Sequence, residues 1–132
     1  MKPITTLAPN EIFVFGSNKS GIQGAGAARI AHQLFGAEWG VGIGPTGKCY
    51  AIPTKDYGIR RTLTPNEIKP YVDDFIEYVK AHPELTFLVT PIGTGLARIE
   101  PEKIALLFKD LIEVENVYLP MNFIEIIERE GK

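Results

Sequence analysis

The chain has 132 residues and a mass of 14.6 kDa, with 45% hydrophobic and 23% charged residues, a formal net charge of −2 and a pI near 5.7. These values fit one globular domain over residues 1–132, long enough to bury a core without disulfides or a structural metal. The single cysteine, Cys49, excludes an internal disulfide and a cysteine-built zinc site. The absence of a basic excess argues against a nucleic-acid surface, and no apolar run approaches the roughly 18 residues of a membrane span.

Met1-Lys2-Pro3-Ile4 does not lead into the apolar stretch of a signal peptide, so the expected location is the cytoplasm. Residues 11–15 are short, apolar and aromatic or β-branched, which predicts a buried strand. A polar, glycine-rich loop follows over 16–24. Residues 25–35 carry a helical stripe of Ala27, Ala28, Ala31, Leu34 and Phe35, with Gly36 as the stop. Residues 38–48, with glycines at 40, 42, 44 and 47, read as a loop or a bulged hairpin. Cys49-Tyr50-Ala51-Ile52 is a short strand ended by Pro53, and 54–63 is a loop carrying Lys55, Asp56, Tyr57, Arg60 and Arg61.

Thr64-Pro65-Asn66-Glu67 is a helix start: Thr64 caps, Pro65 takes the first turn, and Glu67 completes a capping box. Ile68, Tyr71, Val72, Phe75, Ile76 and Val79 continue at helical spacing, with a kink expected at Pro70 and an end at His82-Pro83. Residues 86–90 form a strand. Glu100-Pro101 opens a helix burying Ile104, Leu107, Phe108, Leu111 and Ile112, and Val117-Tyr118-Leu119 is a last buried strand. Residues 122–128 fit an edge strand or a short helix, and 125–132 a solvated tail.

Strands alternating with helices predict an α/β fold with a mixed, mostly parallel sheet. In such sheets ligands bind beyond the carboxyl ends of the strands, where the loops 16–26, 54–61 and 91–96 would converge. Strand, glycine loop, helix is also the arrangement that presents backbone N–H groups to phosphate, and it occurs twice, as if gripping a diphosphate from two sides.

Two common phosphate motifs fail. Gly42 to Lys48 matches G-x-x-x-x-G-K, but Cys49 replaces the magnesium-binding Ser or Thr and a strand follows instead of a helix. The first loop lacks G-x-G-x-x-G because Arg29 takes the last position. Neither His32 nor His82 has a partner at metal-ligand spacing, so no metal site is expected. Cys49 reads as a small buried residue, and Trp39 and Tyr57 as candidates for stacking on an adenine or ribose.

Phe13-Val14-Phe15-Gly16-Ser17-Asn18 followed by Gly24-Ala25-Gly26-Ala27-Ala28 resembles the start of a macrodomain. Tyr50-Ala51-Ile52-Pro53-Thr54-Lys55 resembles the family's middle strand and its exit, and Thr90-Pro91-Ile92-Gly93-Thr94-Gly95-Leu96 its diphosphate loop. The three segments keep the family's order over roughly residues 11–120. The resemblance implies a three-layer α-β-α fold that binds ADP-ribose or an ADP-ribosylated substrate without a metal or redox cofactor. Gly16, Ser17, Asn18, Gly24, Ala25, Gly26 and Ala27 would lie along the distal ribose, and Ile92, Gly93, Thr94, Gly95 and Leu96 along the diphosphate. Asn18 has a second reading, as an Asx turn starting its loop.

The position of Lys55 is similar to the branch that removes terminal ADP-ribose from proteins, where a lysine attacks the ribose and an aspartate in the later loop assists. Here Ala97 stands where that aspartate is expected, and Asp56 is the substitute the sequence offers. An attacking lysine needs a depressed pKa, to which Arg60 and Arg61 would contribute. The implied activity is therefore binding, with glycohydrolase chemistry through Lys55 and Asp56 as its extension. The alternatives are a nucleotide- or phosphate-binding regulatory domain without catalysis, and an interaction protein whose glycines serve backbone geometry alone.

Overall fold

The computed structural model describes residues 4–130. In chain order it contains strand β1 (Glu11–Asn18), helix α1 (Gly26–Phe35), strands β2 (Gly44–Thr46) and β3 (Cys49–Lys55), a single turn at Tyr57–Ile59, helix α2 (Pro65–Ala81), strand β4 (Thr86–Val89), helix α3 (Pro101–Ile104) running into a 3-10 segment (Ala105–Leu111), strand β5 (Val117–Tyr118) and helix α4 (Met121–Glu130). The five strands form one mixed sheet in the order β2-β3-β1-β4-β5. The pairs β3/β1, β1/β4 and β4/β5 are parallel, and β2 pairs antiparallel with β3. Among the described residues no helix is long and apolar enough to cross a membrane.

Alternation along the strands divides the core in two. Phe13 and Phe15 of β1 and Cys49 and Ala51 of β3 pack with Ala28, Ala31 and Phe35 of α1. The intervening residues, Val14, Tyr50 and Ile52, pack with Val72, Phe75, Phe108 and Phe123 from α2, the 3-10 segment and α4. The small residues Ala28 and Ala31 let α1 lie close against β1 and β3. Gly36 ends α1 in the left-handed conformation (φ 77°), the geometry that favours glycine. The capping box at Thr64 and Glu67 forms as the sequence predicts.

Five expectations are corrected. β3 does not stop at Pro53 but continues to Lys55. Pairing with β2 ends at Ala51, so the missing N–H of Pro53 falls where the strand has a neighbour on one side only. α2 passes through Pro70 as a continuous helix, with its buried stripe from Ile68 to Val79 intact. The helix from Pro101 tightens into 3-10 geometry after Ile104, so that Leu107 and Ile112 are only partly buried while Phe108 and Leu111 reach the core. Of the two readings of 122–128 the helix holds: residues 121–130 form one that buries Phe123, Ile126 and Ile127, so 125–130 is not a solvated tail, and residues 131–132 lie outside the described residues. The apolar residues of this helix recur three to four apart, the spacing of a helix face. Tyr118, expected to be buried, is 61% exposed because β5 is the edge of the sheet.

Candidate functional site

The order β3-β1-β4 makes β1 the strand from which the chain departs in both directions, and the crevice at its carboxyl end is where such sheets bind ligands. The loops leaving β1, β3 and β4 meet there around a cavity of about 720 Å³, within the usual size of small-molecule sites. The two glycine loops touch across it: a Cβ on Gly26 would lie 3.2 Å from Cδ1 of Leu96, which is itself 64% exposed. Beneath them, a Cβ on Gly16 would lie 3.3 Å from the backbone N of Gly93.

Lys55 reaches the cavity through an irregularity in β3. The register runs Gly16 to Ile52 and Ser17 to Pro53, then jumps to Asn18 opposite Lys55, leaving Thr54 as an extra residue. In a regular strand Thr54 and Lys55 would point to opposite faces, whereas the bulge lets both contribute to the cavity wall.

The cavity surface is mostly apolar, with backbone donors set into it. Among the described residues, the backbone N–H groups of Gly93, Gly95, Leu96 and Ala97 have no backbone acceptor. Helix α1 begins beside the same cavity with Ala25 at its N-cap, no side-chain cap and no acidic residue in its first turn. Its first N–H groups are therefore left for an outside acceptor, in the partial positive field of the helix N-terminus. The hydroxyls in the wall are already committed as donors: Ser17 Oγ to the Gly42 carbonyl, Thr54 Oγ1 to Ser17 at 3.2 Å, Thr90 Oγ1 to Val14 at 2.8 Å and Thr94 Oγ1 to Pro91 at 2.8 Å. Among the described residues Lys55 is the only formally charged side chain in the lining, with no Asp or Glu beside it. A cavity with backbone donors on two sides and one cation has the chemistry to accept an anion.

Almost all the site residues expected from sequence come together here: 16–18, 24–27, Lys55 and 92–96 all line the cavity. Asn18 is 7% exposed and staples its own loop, with Oδ1 accepting from Ile22 N at 3.0 Å and Nδ2 donating to Ile22 O at 2.8 Å. One Nδ2 hydrogen then remains for a ligand. Asp56 is the exception. It follows Lys55 in sequence but is absent from the lining, because Arg61 draws it away: Oδ1 accepts from Arg61 N at 3.0 Å, and Oδ2 lies 3.7 Å from Arg61 Nε. Arg61 in turn forks onto Glu67 at 2.7 and 2.9 Å, so its guanidinium is committed to carboxylates. Ala97 lines the cavity with no acid in its place.

Sequence reasoning missed Ile22, Ala28, Thr54 and Thr90 as wall residues. Thr90, directly after β4, was findable from its place in the chain, whereas Thr54 was hidden by a bulge that only pairing reveals. Trp39 and Tyr57 are exposed but do not line the cavity. Trp39 instead stands edge-on to His32, with ring centroids 5.5 Å apart. Cys49 is buried, and desolvation pushes its thiol up to about 12. Among the described residues no group of three or more His, Cys, Asp or Glu could hold a metal ion.

Comparison with known proteins yields no match to a family model, a curated protein or a solved structure.

Proposed function

We propose that this protein binds ADP-ribose or a related ADP-ribosyl compound, in a macrodomain-like three-layer α-β-α fold. The observation that carries the reading is the donor-lined cavity. Residues 93 and 95–97, whose N–H groups find no backbone acceptor among the described residues, line it from one loop, the uncapped start of α1 from the other, and Lys55 adds one positive charge. A diphosphate needs this arrangement, since its negative charge is spread over oxygens on both sides. In this reading the second loop holds the diphosphate. The first loop, with Asn18, meets the distal ribose, and Gly24 and Gly26 allow its close approach. No metal or redox cofactor is required.

Hydrolysis of an ADP-ribosyl linkage is a second reading, favoured by the bulge that brings Lys55 into the cavity. The lysine amine would attack C1″, the bond from C1″ to the modified side chain would break with its electron pair leaving on that side chain, and water would then hydrolyse the lysine–ribose adduct to release ADP-ribose and the free lysine. The absence of a carboxylate from the lining weighs toward binding, because no side chain there is placed to share the proton transfers. A phosphate- or nucleotide-binding regulatory role without catalysis would use the same donors.

Isothermal titration with ADP-ribose, with AMP and ribose 5-phosphate as controls, tests the proposal. Saturable binding, clearly tighter for ADP-ribose than for AMP, is the expected result. No heat, together with no rise in melting temperature at millimolar ADP-ribose, overturns it. Release of ADP-ribose from a modified protein by wild type and not by Lys55→Ala would establish the hydrolytic reading.

A further inference from the structure

A cationic rim continues outward from Lys55. The backbone N of Lys19 donates to the Lys55 carbonyl at 3.0 Å, and Gly58 N donates to Ser20 Oγ at 2.9 Å. These bonds tie the segment after β1 to the segment after β3. The Lys19 ammonium lies 5.5 Å from the centre of the Tyr71 ring and 5.9 Å from that of Tyr57, which is 67% exposed. The Arg60 side chain folds over Gly58, with Nε 3.6 Å from where a Cβ would stand. Among the described residues, Lys19, Lys55 and Arg60 form no ion pair, whereas Arg61 is held by Asp56 and Glu67. Three cations without an ion pair are therefore carried on two segments that hydrogen bonds join to each other beside the wall residue Lys55, in a chain whose net charge is −2.

We propose that this rim binds an acidic peptide segment belonging to the polypeptide whose ADP-ribosyl group occupies the cavity; the inference rests on the function proposed above. Two physical features select this partner. The segments that carry Lys19 and Arg60 are bonded to each other and adjoin Lys55, so a chain leaving the cavity past Lys55 would meet them. The tyrosine rings hold Lys19 by cation–π attraction, which fixes the ammonium before a partner arrives. The rim thus presents separate positive groups, suited to spaced carboxylates. A nucleic-acid strand would call for a longer basic track than these three residues provide.

The test titrates a short glutamate–glycine peptide into the ¹⁵N-labelled full chain, with and without ADP-ribose. A glutamine–glycine peptide and an oligothymidylate of equal charge serve as controls. The expected result is shifts of the Lys19, Tyr57 and Arg60 amides by the glutamate peptide alone, weakening as salt is raised. The double variant Lys19→Glu/Arg60→Glu is expected to weaken peptide binding about tenfold or more while ADP-ribose affinity stays within about twofold. A melting temperature close to wild type establishes that this variant is folded. No shifts with the glutamate peptide, equal shifts with the glutamine peptide, or tighter binding of the oligothymidylate would each overturn the proposal. Peptide binding at the rim with no binding of ADP-ribose would overturn the cavity reading and leave an acidic-peptide site standing by itself.

Discussion

Gly16 and Gly93, 77 positions apart in the chain, meet so closely that a Cβ on the first would lie 3.3 Å from the backbone N of the second. Gly93 itself adopts φ +80°, and a Cβ there would stand 3.0 Å from Cδ1 of Ile99. The pair forms the floor of the cavity, where the carboxyl end of β1 passes under the loop after β4. Its glycines answer a demand of contact and of backbone conformation at the same time. Gly16→Val is expected to push the second loop upward and weaken ADP-ribose binding more than about tenfold, equivalent to about 1.4 kcal/mol. Titration calorimetry beside a thermal melt of the same variant separates loss of the site from loss of the fold.

Gly24 and Gly42 make a sharper contrast. A Cβ on Gly24 meets nothing within 4 Å, and its φ is not left-handed, whereas a Cβ on Gly42 would fall 1.9 Å from the Asn18 carbonyl oxygen. Gly24→Ala is therefore expected to leave the melting temperature nearly unchanged and to reduce ADP-ribose affinity by crowding the ligand. Gly42→Ala is expected to cost about 3 kcal/mol or more of stability, because backbone must move to admit the methyl group. Denaturant unfolding of the two variants checks both statements, and equal stabilities would refute them.

Lys55 supplies the one formal charge in the cavity wall. Its removal in Lys55→Ala is expected to weaken ADP-ribose about tenfold, in the range of a charge-assisted hydrogen bond of about 1.5–3 kcal/mol. Lys55→Arg, which keeps the charge, should recover most of that loss. Binding isotherms at low and high salt provide the measurement, and an unchanged affinity for Lys55→Ala would remove the lysine from the site.

The Arg61 fork lowers the carboxyl of Glu67 from an ordinary 4.5 to about 2, helped by the Thr64 N–H. A depressed acid stabilises the folded state above its unfolded pKa, and that contribution disappears as pH falls through the folded value. The anchoring of the 56–63 loop to the start of α2 is thus expected to be complete above about pH 5 and to be lost on acidification toward pH 2. Both groups are solvent-exposed, so the effect should be small and reduced by salt. An NMR titration of the Glu67 carboxyl reads it directly, and Arg61→Ala should return the midpoint to the ordinary carboxylate range.

Burial sets the behaviour of Cys49. The thiol is pushed up to about 12 and has no solvent access, so the native protein is expected to resist thiol reagents at pH 8 and to react once unfolded. Labelling followed by mass spectrometry, with and without denaturant, checks this. Rapid labelling of the native chain would contradict the buried position.

Most strands and helices, and most residues of the cavity wall, were legible in the sequence, whereas 38–48 and 122–128 each kept two readings open. The reason is local. Period-2 and period-3.6 apolar patterns mark strands and helices, the Thr64–Glu67 capping box starts α2, and glycines bunched after the strands β1 and β4 mark turns at the ends where ligands bind. Even α4 had its helical spacing in view, although the charged residues between Ile126 and the chain end gave the appearance of a tail. Tertiary structure alone decided what depends on pairing between distant segments. The register of β3 against β1 created the bulge at Thr54 that brings Lys55 into the wall. The closure of the 56–67 segment gave Asp56 to Arg61 instead of to the lysine beside it in sequence. Neighbours in a chain share a direction only where the backbone is regular, and at the ends of strands it is not. Contacts there are set by which distant group arrives to satisfy each charge and each N–H.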